Sequence, residues 1–347
     1  MEINYIKGSR DEFFGFVDSI LSEDKVAIIS HIDVDGLSSA VFLEKILNAK
    51  GIFVDYISFE DIRSDMVKEI SVILGERGIT KVFFCDIGID SIDFDGFNEL
   101  REEMGVFLID HHPMNEDVKD WDNIIKTSSD DCSGMVCFFL GDGIIDSKEW
   151  EWLCCTAIFS DFSYKDKKNL EYVQSIYTDV TYDNISSTTP GLNGRRINSA
   201  LIYYENDKKY VYGLVKDRDL EKIEEAHDIL EEEIERLIIE FSKKAEHYPE
   251  KGLHFYILDS KFNVTSTICS LVSKMKPKDY FVFGKRRSDG MIKFSARNQS
   301  GEKDMGSLMK KCTEGLEGAN GGGHRQAAAA TIQENDLSVF KERLIRD

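Results

Sequence analysis

No stretch of this sequence approaches the roughly 20 consecutive apolar residues that a membrane-spanning helix needs. Its opening segment, MEINYIKGSRDEFF, has none of the basic-then-apolar layout of a secretory signal. A soluble, cytoplasmic protein without membrane partners is expected. No Cys-x-x-Cys pair occurs among the seven cysteines, which excludes a zinc ribbon or dithiol redox site, and an odd number of thiols in such a chain predicts no structural disulfides. Cys154 and Cys155 fall in the apolar stretch 152–159, where packing is the expected role. Net positive charge is also lacking: the total is −21, which by itself argues against a polyanionic partner. The distribution says otherwise, because residues 251–347 hold 17 basic against 11 acidic side chains, whereas the preceding 250 hold 26 against 53. A basic C-terminal module is attached to an acidic one.

A chain of 347 residues exceeds a comfortable single core, so two domains are expected. The first part alternates helix and strand: helix over 10–21, strand 25–30, helix 37–49, strand 51–57, helix 63–77, strand 81–86, helix near 96–104 and strand 105–110. Short connections between them predict a parallel sheet with crossover helices, a Rossmann-like α/β sandwich. Helical spacing follows over 135–140, 150–162 and 170–176, then a polar, low-complexity patch over 178–194. Residues 217–246 run without Gly or Pro, rich in Glu and Lys with Ile and Leu at helical spacing, and predict a long linker helix. Strands over 253–258, 280–284, 291–296 and 326–332, with helices over 264–275 and 306–314, predict a smaller α/β domain. The expected division is 1–215, linker helix 216–248, and 249–347.

Three of the apolar runs end in clusters of metal-binding side chains: 26–30 into His31, Asp33, Asp35 and Gly36; 82–85 into Asp86; and 106–109 into Asp110, His111 and His112. The carboxyl ends of strands in an open α/β sheet form its ligand crevice. So many acidic groups at one edge repel one another and carry a heavy desolvation cost unless divalent cations neutralise them. His31, Asp33 and Asp35 are expected to point to one side of an extended edge, with Gly36 turning the chain into the next helix. Imidazole plus hard carboxylate oxygens suits Mn²⁺ best, with Mg²⁺ as the substitute.

These motifs, in this order, resemble motifs I, II and III of the DHH phosphoesterase superfamily, and Asp161, in Ala157-Ile-Phe-Ser-Asp161, stands where motif IV is expected. Gly321-Gly322-Gly323-His324, followed by Ala327–Ala330, resembles the glycine-rich signature of the DHHA1 domain, and Ser295-Ala296-Arg297 its phosphate contact. The resemblance implies two Mn²⁺ ions: one held by His31, Asp33 and Asp86, the other by Asp35, Asp86, His111 and Asp161, with Asp86 bridging. Such a pair activates water and neutralises charge on a phosphoryl oxygen. His112 is the natural general acid or supporting group, and Asp110 either orients a histidine or completes a metal shell. Arg297, Asn298, Gly321, Gly322, Gly323 and His324 are the candidate substrate contacts.

Ordinary roles compete with each assignment. Asp33 or Asp35 could cap the following helix, Asp161 could end one, the three glycines could be a plain loop, and Arg286-Arg287 suit a solvated turn. His227, His247 and His254 show no partner spacing. Motif I reads His-Ile-Asp-Val-Asp-Gly, which resembles the RecJ-like branch and implies exonucleolytic hydrolysis of single-stranded DNA or RNA. Cleavage of cyclic dinucleotides or very short oligonucleotides is the alternative, since no stretch interleaves aromatics with basic residues to track a long strand. A non-catalytic replication or repair subunit is the reading from another class. The sequence leaves room for a replication or repair protein partner and for a homodimer.

Overall fold

Runs of Val, Ile and Phe without polar alternation need cover on both faces of a sheet. The computed structural model describes residues 2–61, 63 and 66–346 and falls into two compact units, Met1–His227 and Asp228–Asp347. In the first, β1 (Tyr5–Lys7), β2 (Val26–His31), β3 (Val54–Glu60), β4 (Lys81–Cys85), β5 (Gly105–Asp110) and β6 (Ile124–Thr127) form one sheet in the order β1-β6-β5-β4-β2-β3. All pairings are parallel except β1 on β6. Alternate residues serve two cores. Ile28, Phe83, Phe107 and Ile125 face helices Arg10–Asp18, Val34–Ala49, Ser133–Leu140 and Ser147–Ser160, while Ile29, Phe84, Leu108 and Ile124 face helices Met66–Arg77 and Phe94–Glu103.

Register then places the chemistry. Ser30 pairs with Cys85 and Cys85 with Ile109, so His31, Asp86 and Asp110 emerge side by side at the carboxyl edge, and Asp110 pairs with Lys126 of β6. β1 and β6 are additions to the expected elements. β6 is four residues long and contains a lysine, which reads as a surface loop until the fold buries it. The patch at 178–194 is also more ordered than its composition suggests: Pro190 opens helix Thr189–Tyr203, where its missing N–H costs nothing. Of the helix expected over 63–77, residues 64 and 65 lie outside the described residues.

Helix Leu220–Lys244 leads into the second unit. There β7 (Glu246–Tyr248), β8 (Leu253–Leu258), β9 (Tyr280–Arg286), β10 (Met291–Arg297), β11 (Asn320–Gly323) and β12 (Ala327–Gln333) form a sheet ordered β11-β12-β10-β9-β8-β7, parallel only between β8 and β9. Phe255, Val282, Phe294, Ala330 and Ile332 pack with helices Met305–Thr313 and Leu337–Arg346. The mixed α/β architecture with a smaller second α/β domain is the one expected. All seven cysteines are buried. Among the described residues, no helix is long and apolar enough to cross a membrane.

Candidate metal centre

β2 ends at His31 and the backbone stays extended only to Asp33 (φ −92°, ψ −171°). The Asp33 carboxylate accepts the Gly36 N–H at 3.0 Å and caps helix Val34–Ala49. The expected extended run from His31 to Asp35 is therefore corrected: Asp35 lies in the first helical turn, which rotates it inward to full burial. Its oxygens accept the N–H groups of Ser133 (2.8 Å) and Gly134 (2.9 Å), at the N-terminus of helix Ser133–Leu140. Burial raises its pKa well above the ordinary carboxylate value, and the Asp86 and Asp161 charges push the same way. Gly36 serves close approach, not a turn of unusual dihedrals, because a Cβ there would lie 2.4 Å from the His31 carbonyl oxygen.

Asp86, one residue past β4, sits in the left-handed backbone region (φ 61°), a cost of roughly 1–2 kcal/mol for a residue bearing a Cβ. That conformation turns the carboxylate into the centre of the cluster. Oδ1 lies 3.3 Å from His111 Nε2 and accepts from Ser133 Oγ at 3.2 Å, and Oδ2 lies 3.6 Å from His31 Nδ1. Burial alone would raise the Asp86 pKa, but the two histidines outweigh it and hold the group far below the usual range. His31 Nδ1 is 3.0 Å from Asp33 Oδ2, yet this buried nitrogen has the alignment for a hydrogen bond with neither carboxylate. His111 Nδ1 meets Ser129 O at 3.3 Å and Asp161 Oδ2 at 3.6 Å. Burial works to lower both histidine pKa values, and the surrounding carboxylates reverse it and push each up to about 10. Asp161, ending helix Ser147–Ser160, is pushed up to about 6 by burial, against the pull of His111.

Two triplets bring one donor atom from each member within 4.8 Å of the others: His31, Asp33 and Asp86, and Asp86, His111 and His112. Asp86 belongs to both. Asp35 and Asp161 stand beside these triplets without joining them. The donor set fits a pair of divalent cations: each triplet offers imidazole with hard oxygen, and a buried ring nitrogen that lies near two carboxylates yet hydrogen-bonds to neither is free to take a cation.

The structure also supplies residues that the sequence reading missed. His112 Nδ1 is 2.7 Å from Asp110 Oδ1, and Lys126 Nζ donates to Asp110 Oδ2 at 2.5 Å, to Asp90 Oδ1 at 2.7 Å and to the His112 carbonyl at 3.3 Å. Asp90 Oδ2 in turn accepts the Asn115 N–H at 2.8 Å. Lys126, Asp90 and Asp110 are at most 1 % exposed. Both oxygens of Asp110 are therefore engaged, one by His112 and the other by Lys126. Burial tends to raise the Asp110 pKa, and His112 and Lys126 bring it below the ordinary value, while Asp110 in turn raises that of His112. Asp110 holds Nδ1 of His112, so Nε2 is the ring nitrogen left for another partner. The one available signal was a lysine inside an apolar tetrapeptide, Ile124-Ile125-Lys126-Thr127.

In the second unit, Arg297 reaches Ser270 Oγ (3.0 Å) and Ser266 Oγ (2.8 Å) and stays partly exposed. Asn298 is fully buried, and its amide donates to Lys278 O and Asp279 O and accepts from Ser300 Oγ and Lys303 N–H. It organises a loop and presents nothing to a ligand. Gly321, Gly322 and Gly323 form not a loop but edge strand β11, opposite Ala330, Ala329 and Ala328. A Cβ at Gly321 would lie 2.5 Å from Met309 O, so glycine here lets the strand lie against helix Met305–Thr313. His324 is exposed at the tip of the β11–β12 hairpin.

The sequence pattern of the DHH family, N-terminal domain, matches residues 25–184, and that of the DHHA1 domain matches residues 250–346. The chain belongs to the DHH/DHHA1 superfamily. Among curated proteins none matches it in sequence. In fold this DHH/DHHA1 chain is similar to the exonuclease RecJ bound to manganese, with a TM-score of 0.74 at 16% identity over 100% of this chain and 94% of that one. It is also similar to RecJ in complex with Mn²⁺ from Thermus thermophilus (TM-score 0.70, 14% identity), covering 97% of this chain but only 54% of that longer one. CDC45 from Entamoeba histolytica is similar over 97% of this chain and 98% of its own, with a TM-score of 0.60 and 11% identity. The RecJ-like fold stands on these likenesses.

Proposed function

We propose that this DHH/DHHA1 chain is a divalent-metal-dependent phosphodiesterase that removes nucleotides from the end of single-stranded DNA or RNA in the cytoplasm. The observation that carries the reading is Asp86, a buried carboxylate that belongs to two clusters of donor atoms, with His31 and Asp33 on one side and His111 on the other. The manganese named for both RecJ relatives makes two Mn²⁺ the favoured cofactors, with Mg²⁺ as substitute. In this reading His31, Asp33 and Asp86 hold one ion, and Asp86, His111, Asp35 and Asp161 hold the other. When bound, the ions activate water and neutralise phosphoryl charge.

The chain's own groups do the rest. Helix Ser133–Leu140 holds Asp35 by two backbone N–H groups, so that carboxylate is oriented before any ligand arrives. Asp110 fixes the His112 tautomer and favours its protonated form, which places a proton on Nε2 for the leaving oxygen. Lys126 and Asp90 lock Asp110 from behind. Arg297, Gly321, Gly322, Gly323 and His324 are assigned to substrate phosphates, and Asn298 is not. A second reading, hydrolysis of cyclic dinucleotides or very short oligonucleotides, draws on the acidic excess of the first 250 residues, which disfavours contact with a long polyanion.

Turnover in Mn²⁺ on 5′-labelled and 3′-labelled single strands, a dinucleotide and a cyclic dinucleotide tests both readings. Degradation of the single strands from one end supports the first, and activity confined to the small diesters supports the second. Hydrolysis of none of them removes the enzyme reading and leaves a binding subunit.

A further inference from the structure

Just past Asp161, where helix Ser147–Ser160 ends, a left-handed backbone carries an exposed ring. Phe162 adopts the left-handed backbone region (φ 59°), which bulky side chains avoid, and its residue remains 57% exposed. Burial does not account for that strain. The ring instead belongs to an array: its centroid is 6.3 Å from that of Tyr164, which stacks on Phe159 (5.9 Å, 11° between planes) and lies 5.8 Å from Tyr182, itself 53% exposed. Lys165 Nζ sits 4.8 Å from the Phe162 centroid. Phe159 and Ser160 also line a cavity of about 310 Å³ whose other walls include Asp33, Arg195 and Asn198. The lining of this cavity therefore includes both Asp33, a residue of the candidate metal centre, and Phe159, the ring on which Tyr164 stacks, all within the first unit.

Stacking suits this location. The first 250 residues carry 53 acidic against 26 basic side chains, so long-range charge attraction does not hold a nucleic acid here. Base faces bind aromatic rings without needing net positive charge, and the energy is tolerant of sequence. A strained, exposed phenylalanine beside metal donors is the sort of outlier that points from structure to ligand.

We propose that Phe162, Tyr164 and Tyr182 form a base-stacking platform and that the cavity between Asp33 and Phe159 takes the nucleotide next to the scissile phosphate. The inference rests on the phosphodiesterase reading and deepens it: the substrate is a single strand recognised through its bases. The platform supplies, in folded form, the aromatic-with-basic surface that no continuous stretch of sequence displays.

Phe162→Gly removes the ring and the backbone strain together, and Tyr182→Ala removes a ring without touching the backbone. Fluorescence anisotropy in Ca²⁺ compares a labelled short single strand with an abasic strand of equal length, and turnover in Mn²⁺ is measured separately. The native chain is expected to bind the base-bearing strand roughly ten-fold or more tightly than the abasic one. Phe162→Gly should bind the two strands nearly alike with an unchanged or higher Tm, and Tyr182→Ala should show a smaller loss in the same direction. Equal binding of the two strands by the native chain overturns the platform. So does a preference retained in both variants, whether or not Tm falls, because the rings then serve packing or a protein partner. Failure of the phosphodiesterase reading looks different: the native chain prefers the base-bearing strand but hydrolyses nothing.

Discussion

Replacing Lys126 with methionine removes the ammonium group from a cluster whose carboxylates are shielded from water. Nζ lies 2.7 Å from Asp90 Oδ1 and 2.5 Å from Asp110 Oδ2, with all three residues at most 1 % exposed. Methionine preserves most of the volume, so the loss is electrostatic. Removing one partner of a buried ion pair typically costs about 3–5 kcal/mol, because a charge is left uncompensated. Against a typical domain stability of about 5–15 kcal/mol, that is a large fraction. All three tryptophans, Trp121, Trp150 and Trp152, lie in the first unit, so urea unfolding followed by their fluorescence reports the unit that contains Lys126. The pH dependence supplies a sign. In the native chain Asp110 has a depressed pKa, so its contribution is complete above the unfolded carboxylate value of about 4 and is lost as pH falls through the folded one. In Lys126→Met the Asp110 carboxylate loses one of the groups that hold its pKa down and takes up a proton more readily, so the deficit at pH 7 should shrink toward pH 5. A deficit below about 1 kcal/mol at pH 7, or one that grows on acidification, refutes the account of a dry, mutually dependent cluster.

Asp86→Ala and Asp86→Gly should both abolish turnover, because the shared donor is lost, and more than a few per cent residual activity contradicts the bridging role. Between them the glycine variant should be more stable by about 1 kcal/mol in thermal unfolding, since φ is 61° there. With His31 and His111 pushed up to about 10, both carry protons at pH 7, so loading Mn²⁺ should release about two protons, read by calorimetry in buffers of different ionisation enthalpy. Their contribution to the metal-free chain is complete below the unfolded value of about 6.5 and fades as pH rises through about 10, while metal affinity rises over the same range. Release of no protons counts against the assignment of these two ligands. His324→Ala should raise KM on single strands and leave kcat near native; a lower kcat at unchanged KM sinks its assigned role in holding substrate.

The strands that carry the candidate centre are legible because nothing interrupts them: β2, β4 and β5 are apolar almost throughout and each stops at or just before one of its candidate residues. β6 is not, because the fold buries Lys126 against two aspartates from distant segments, and a lysine in isolation signals solvent. Asp35 was read as part of an extended edge since His31, Asp33 and Asp35 alternate; the capping carboxylate of Asp33 begins the helix at Val34 and wins. The glycines at 321–323 lack strand propensity, and only packing against helix Met305–Thr313 draws them into β11. Asn298 looked like a ligand beside Arg297, although its amide closes a loop. Phe162, Tyr164 and Tyr182 form no continuous stretch in the sequence, and only the fold brings their rings together.

The burial of every thiol makes the chain its own clock for opening. Cys85, Cys132, Cys137, Cys154 and Cys155 lie in the first unit, Cys269 and Cys312 in the second. Burial holds the thiols of Cys85, Cys132, Cys154 and Cys269 in the unreactive protonated form. A pulse of alkylating reagent therefore marks a cysteine only while its surroundings are open, and peptide mass mapping reads out which half of the molecule breathes first. No labelling site has to be engineered, so the order of opening can be recorded on the unaltered sequence, with and without manganese.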